Sequence, residues 1–121
     1  MRFAPCLAMA ALAATLAACS QEHGTGAGLG DAARGRIIVG REACGSCHTI
    51  PGLMDADGLA GPPLGRFGRR SVIAGLLPNR PDELVRWLRA PQAVAPGNAM
   101  PDMGLSEQQA RDVAAFLEAL R

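Results

Sequence analysis

From Ile50 to Gly75 the chain places nine Gly or Pro residues, too many for a helix or strand to persist, and Pro91 to Met103 is rich in them again. Irregular segments of that length argue against a compact domain unless something beyond secondary structure organises them. The side chains cannot do this alone. Aromatics are 3% of the residues, Tyr is absent, and Phe3 lies in an N-terminal leader, so Phe67, Trp87 and Phe116 are left to fill an interior. Small domains short of core recruit disulfides, a metal or another added element. A non-peptidic group is therefore expected to complete this one.

The leader is read from residues 1–18. Met1-Arg2-Phe3 carries one positive charge, and the alanine-rich stretch from Ala4 to Ala18 that follows is shorter than the roughly 20 apolar residues that span a bilayer. This is the pattern of a secretory signal peptide. Its end, Leu16-Ala17-Ala18-Cys19, resembles a bacterial lipobox, which implies cleavage before Cys19, a lipid on that cysteine, and a periplasmic protein anchored to a membrane. The competing expectation is an ordinary cleaved signal with an incidental Cys19. Residues 19–29 then form a tether rich in Gly, with His23 as a solvated side chain, and a single domain over residues 30–121 follows.

Removing the leader changes the cysteine arithmetic. Cys6 goes with it and Cys19 carries lipid, leaving Cys44 and Cys47 in the run Cys44-Gly45-Ser46-Cys47-His48. Two thiols at this spacing can reach the two vinyl groups of a porphyrin edge, with the next imidazole beneath the iron, so the run reads as a c-type haem attachment site. Other uses fit less well. A thioredoxin-like dithiol needs a βαβ context, and no such alternation surrounds the motif. Structural zinc needs four ligands, and only the distant His23 could join the three residues here. A disulfide at this spacing is awkward and leaves His48 without a role.

Helical signals bracket the motif. Asp31 to Ala43 has an acidic start and an apolar patch at Ile37, Ile38 and Val39. Pro81 opens a second helix through Leu84, Val85, Trp87 and Leu88, which Pro91 ends. Ser106 and Gln109 open a third, with Ala110, Val113, Phe116, Leu117 and Leu120 as its apolar stripe. No strand pattern appears, so the expected class is all-α, about three main helices with long loops. Twelve basic against eleven acidic residues leave a formal charge of +1, which argues against nucleic-acid binding.

With these landmarks in order, the chain resembles the class I cytochrome c family over Gly30 to Arg121. The matching segments are Gly30-Asp31 with Gly35, the Cys44 to His48 motif, Gly61-Pro62-Pro63-Leu64, Trp87-Leu88-Arg89-Ala90-Pro91, and Pro96-Gly97-Asn98-Ala99-Met100-Pro101. The resemblance implies one covalent haem c held by Cys44 and Cys47, with His48 as one axial iron ligand and Met100 as the other; Met103 is the alternative. It further implies that Gly35 meets Phe116 where the first and last helices cross. Pro62 accepts the imidazole proton through its carbonyl, Leu64 and Trp87 join the haem pocket, and Arg69, ahead of Arg70, stands where the family uses Arg for a haem propionate; the alternative for the two arginines is a solvated pair. Met54 is expected to be packing or surface, and Asp55 and Asp57 to be loop residues. The chain has no Lys, so docking by a lysine ring does not carry over.

The function so implied is that of a monomeric one-electron carrier without enzymatic activity. Its expected partners are a cytochrome bc complex and a haem-copper oxidase in a bacterial respiratory chain. Two alternatives stand beside it: a sensor or peroxidase-like haem protein whose methionine leaves the iron, and an accessory subunit that relays electrons inside one enzyme.

Overall fold

The computed structural model describes residues 30–121; the leader, Cys19 and the tether lie outside the described residues. Helix α1 covers Ala32–Arg41, and Asp31 caps it by accepting the Arg34 N–H at 2.9 Å. The last helix, Glu107–Ala119 (α4), opens with a reciprocal capping box between Ser106 and Gln109, as the sequence pattern predicts. Between them α2 spans Pro81–Arg89, with Pro81 in its first turn, and a single turn α3 spans Pro91–Val94. The class is all-α, as expected. Pro91 both terminates α2 and opens α3, because its fixed φ suits a first helical position.

One local expectation is corrected. Val72–Ile73 (β1) and Leu77–Pro78 (β2) pair antiparallel, Ile73 opposite Leu77. The turn between them has positive φ at Ala74 (52°) and Gly75 (71°), and the Leu76 N–H closes it onto the Ile73 carbonyl at 2.9 Å. Two-residue strands are too short to show a period of two, and Ala at positive φ is no turn signal, so this hairpin leaves little trace in the sequence.

The fold is organised by the crossing of α1 and α4. A Cβ on Gly35 would fall 1.9 Å from the Asp112 carbonyl oxygen and 3.0 Å from the Phe116 Cβ, so only glycine allows this approach. The expected meeting of Gly35 with Phe116 is present, with the Asp112 backbone nearer still. Around the crossing the core gathers Ile38, Val39, Leu84, Leu88, Val113 and Leu117. Phe67 and Phe116 are its only buried aromatics among the described residues.

Asp112 joins the two ends of the domain. Its carboxylate is 4% exposed and accepts from the Asp31 N–H at 2.7 Å, Arg34 Nε at 3.0 Å and Gln108 Nε2 at 3.0 Å. The Arg34 hydrogen bond, together with the Asp31 amide and Gln108, holds the Asp112 carboxyl below the usual carboxylate range against the opposing effect of burial. A carboxyl with a depressed folded pKa stabilises the fold above its unfolded pKa and loses that contribution as pH falls through the folded value. Asp112→Asn should therefore lower stability near neutral pH by about 2 kcal/mol and flatten the acid limb of the stability profile. Denaturant unfolding between neutral and acidic pH checks this, and an unchanged acid limb would assign that limb to other carboxylates.

Candidate haem site

The attachment motif is positioned directly by α1. After Arg41 the chain turns at Ala43, in the left-handed region at φ 54°, and a 3-10 turn over Cys44–Ser46 follows. Ser46 N–H bonds to Ala43 O at 3.0 Å, and His48 N–H to Cys44 O at 3.0 Å. Two glycines let a second loop cross this turn. A Cβ on Gly45 would lie 2.6 Å from Ala56, and one on Gly58 would lie 2.4 Å from the Ser46 carbonyl. Cys47 is exposed and Cys44 half-buried, where burial raises the pKa of its thiol before any attachment.

His48 has its tautomer fixed by geometry. Its Nδ1 lies 2.8 Å from the Pro62 carbonyl oxygen, which can only accept, so Nδ1 is the protonated nitrogen of the neutral ring and Nε2 is the one that can ligate. The neighbouring Gly61 lets the backbone pack on the ring, because a Cβ there would fall 2.4 Å from His48 Cε1. The Gly61 N–H in turn bonds to Cys47 O at 2.7 Å, tying the loop to the motif.

Cys44, Cys47 and His48 open onto a cavity of about 500 Å³, walled mainly by apolar side chains from α2, α4 and the intervening loops. Pro62, Leu64, Trp87, Met100 and Met103 all line it, so the residues named from the resemblance are brought together by the fold. Leu64 is buried and Trp87 half-buried. Arg69 is the exception: it is exposed and absent from the wall, while Arg70 lines the cavity. The 3-10 turn Phe67–Arg69 is the reason, since it buries Phe67 and turns the following residue inward. Arg70 donates to the carbonyls of Pro63 and Gly65, and its guanidinium sits 5.3 Å from the Phe67 ring centre. Met54 is 92% exposed, a surface residue. Asp55 and Asp57 stay in their loop, and no cluster of three or more His, Cys, Asp or Glu side chains among the described residues could hold a metal.

This donor set fits a haem c. A thiol pair at the attachment spacing, an imidazole with Nε2 available, and thioethers from Met100 and Met103 face a single apolar cavity. Such a site defines a c-type cytochrome. The family model for cytochrome c matches residues 32–121, and the chain belongs to the cytochrome c family, which implies covalently bound haem c and electron transfer. The chain is similar to cytochrome c oxidase subunit 2 of Alkalihalophilus pseudofirmus, 37% identical over 89 residues, covering 73% of this chain and 25% of that protein. It is also similar to cytochrome c oxidase subunit 2 of Bacillus sp. strain PS3, 34% identical over 84 residues, covering 66% of this chain and 24% of that protein. The chain thus spans about a quarter of the length of these curated relatives. No solved structure matches it.

Sequence reasoning missed the polar side chains around the methionine loop. Gln92 and Asn98 both bond to the Met100 backbone. An Asn two residues before the Met, preceded by Pro-Gly, is the one signal that could have marked that loop as side-chain-bonded.

The packing of Gly61 on the His48 ring gives a direct test. Gly61→Ala should displace the imidazole and cost about 2 kcal/mol in the haem-loaded protein, a typical overpacking loss. Thermal unfolding measures it, and an unchanged midpoint would mean that the ring does not lie against residue 61.

Proposed function

We propose that the protein is a monomeric one-electron carrier with a single haem c, held axially by His48 and Met100, and that it has no catalytic activity of its own. The supporting observation is that His48 and the methionine loop reach the same cavity, so protein side chains are at hand for both axial positions and neither is left for a substrate. When bound, the haem supplies a reversible Fe(III)/Fe(II) couple, which a soft thioether ligand biases toward the ferrous form. Pro62 would keep the imidazole in its ligating tautomer, and the mainly apolar wall would pack against the haem faces. The electron donor in this reading is a cytochrome bc complex and the acceptor a haem-copper oxidase.

A specific observation favours a second version of the acceptor side. The relatives are oxidase subunits about three times as long, in which the matching segment is one part of a larger chain. The present chain can act as an accessory subunit that supplies the same electron relay to an oxidase. In either version we place the domain in the periplasm, held to the membrane by a lipid on Cys19 after cleavage behind Ala18. No helix among the described residues is long and apolar enough to cross a membrane. An intact mass with lipid on Cys19 supports the anchor, and a free thiol there removes it.

The axial assignment is tested by two substitutions. Met100→Ala should abolish the near-infrared sulfur-to-iron band of the ferric protein and lower the reduction potential by about 100 mV or more. Met103→Ala should keep the band. The reverse result would exchange the two methionines, and a band lost in neither would revive a sensor or peroxidase-like reading.

A further inference from the structure

The loop carrying Met100 is held by side-chain amides. Gln92, on the single turn α3, donates through Nε2 to the Asn98 carbonyl at 2.9 Å and to the Met100 carbonyl at 2.8 Å, and its Oε1 accepts the Gly97 N–H at 3.1 Å. Asn98 works in the other direction. Its Nδ2 donates to the Pro91 carbonyl at 3.0 Å and the Ala95 carbonyl at 2.7 Å, and its Oδ1 accepts the Met100 N–H at 2.7 Å. Both backbone polar groups of Met100 are thus held by side chains, and each of the two amides uses donor and acceptor at once. A carboxylate cannot replace either, because it has no donor for the two carbonyls. The anchor is firm: Pro91, whose carbonyl receives Asn98, is among the most deeply buried residues of the core.

We propose that Gln92 and Asn98 are positioning residues that hold Met100 at the cavity and so set how firmly its sulfur keeps the iron against an external ligand. This rests on the His48/Met100 reading. A loop free to swing away populates a methionine-off state, and an external ligand binds that state alone, so its apparent affinity scales with the off-state population. Each clamp bond is an ordinary hydrogen bond, but Gln92 directs three of them onto the four residues Gly97 to Met100. The clamp therefore acts on the ligand equilibrium and not only on folding.

The test is imidazole binding to the haem-loaded ferric protein, followed by its visible spectrum. Gln92→Glu keeps the shape and the acceptor but removes both donors and turns a negative oxygen on two carbonyls. It should raise the affinity for imidazole about tenfold or more. Gln92→Met, of equal length and without polar atoms, removes all three bonds, should likewise raise the affinity, and serves if the first variant is not produced. In a Met100→Ala background, where the methionine-off state is complete, Gln92→Glu should add nothing. An unchanged imidazole affinity in a variant whose melting temperature falls would reduce Gln92 to a structural residue and overturn the proposal. An equal increase in the Met100→Ala background would also overturn it, because the effect would not pass through Met100. If Met100→Ala itself leaves the affinity unchanged, the axial assignment fails first and the clamp falls with it.

Discussion

Apolar surface that the chain cannot cover with its own side chains is the constraint on which the rest of this structure depends. The cavity wall draws on Val39, Leu64, Ile73, Leu84, Val113 and Leu117, residues that would otherwise close a core on one another. Holding them apart is unfavourable in water at roughly 25 cal/mol per Å² of apolar area. In the proposed reading, a haem c joined to Cys44 and Cys47 would turn that liability into packing, which would account for loops as irregular as residues 50–75 in an ordered domain. The aromatic poverty of the sequence and the breadth of the cavity are the same fact seen twice.

The crossing of α1 and α4 is what lets the wall exist. Gly35 admits the Asp112 backbone, Gly30 N–H bonds to Arg111 O at 3.0 Å, and the Asp112 carboxylate accepts from the Asp31 amide, the Arg34 side chain and Gln108 of its own helix. From this joint α1 runs straight into the attachment turn, so the cysteines and His48 are placed by the close packing of the first and last helices. The methionine side is built differently. Its loop hangs from a single helical turn and is secured by amide side chains, which makes it the more adjustable half of the site.

Features that are local in the chain were legible in the sequence. The Cys44 to His48 spacing, the capping box of α4, the proline start of α2 and the Gly35 crossing all follow from residues a few positions apart or from a resemblance anchored on them. What escaped depends on distant contacts. Asp112 reads as one of several helix carboxylates until the fold brings Asp31 and Arg34 to it across some eighty positions. Arg69 and Arg70 differ only by the rotation of a 3-10 turn, which sequence does not encode with that resolution. The β1–β2 hairpin needs Ala74 in a conformation that alanine rarely takes. Gln92 looks like a surface residue after a proline, and only the folded loop reveals its three bonds.

The central claim, that a covalent haem completes the core, is tested most directly by amide hydrogen exchange on the chain carrying Cys44→Ala and Cys47→Ala. Without attachment, the account predicts that protection collapses in α2, the methionine loop and the cavity-facing part of α4, leaving at most residual structure at the α1–α4 crossing. Native-like protection throughout residues 30–121 in that variant would contradict it, because the chain would then have closed its core without the group the cavity is shaped to hold.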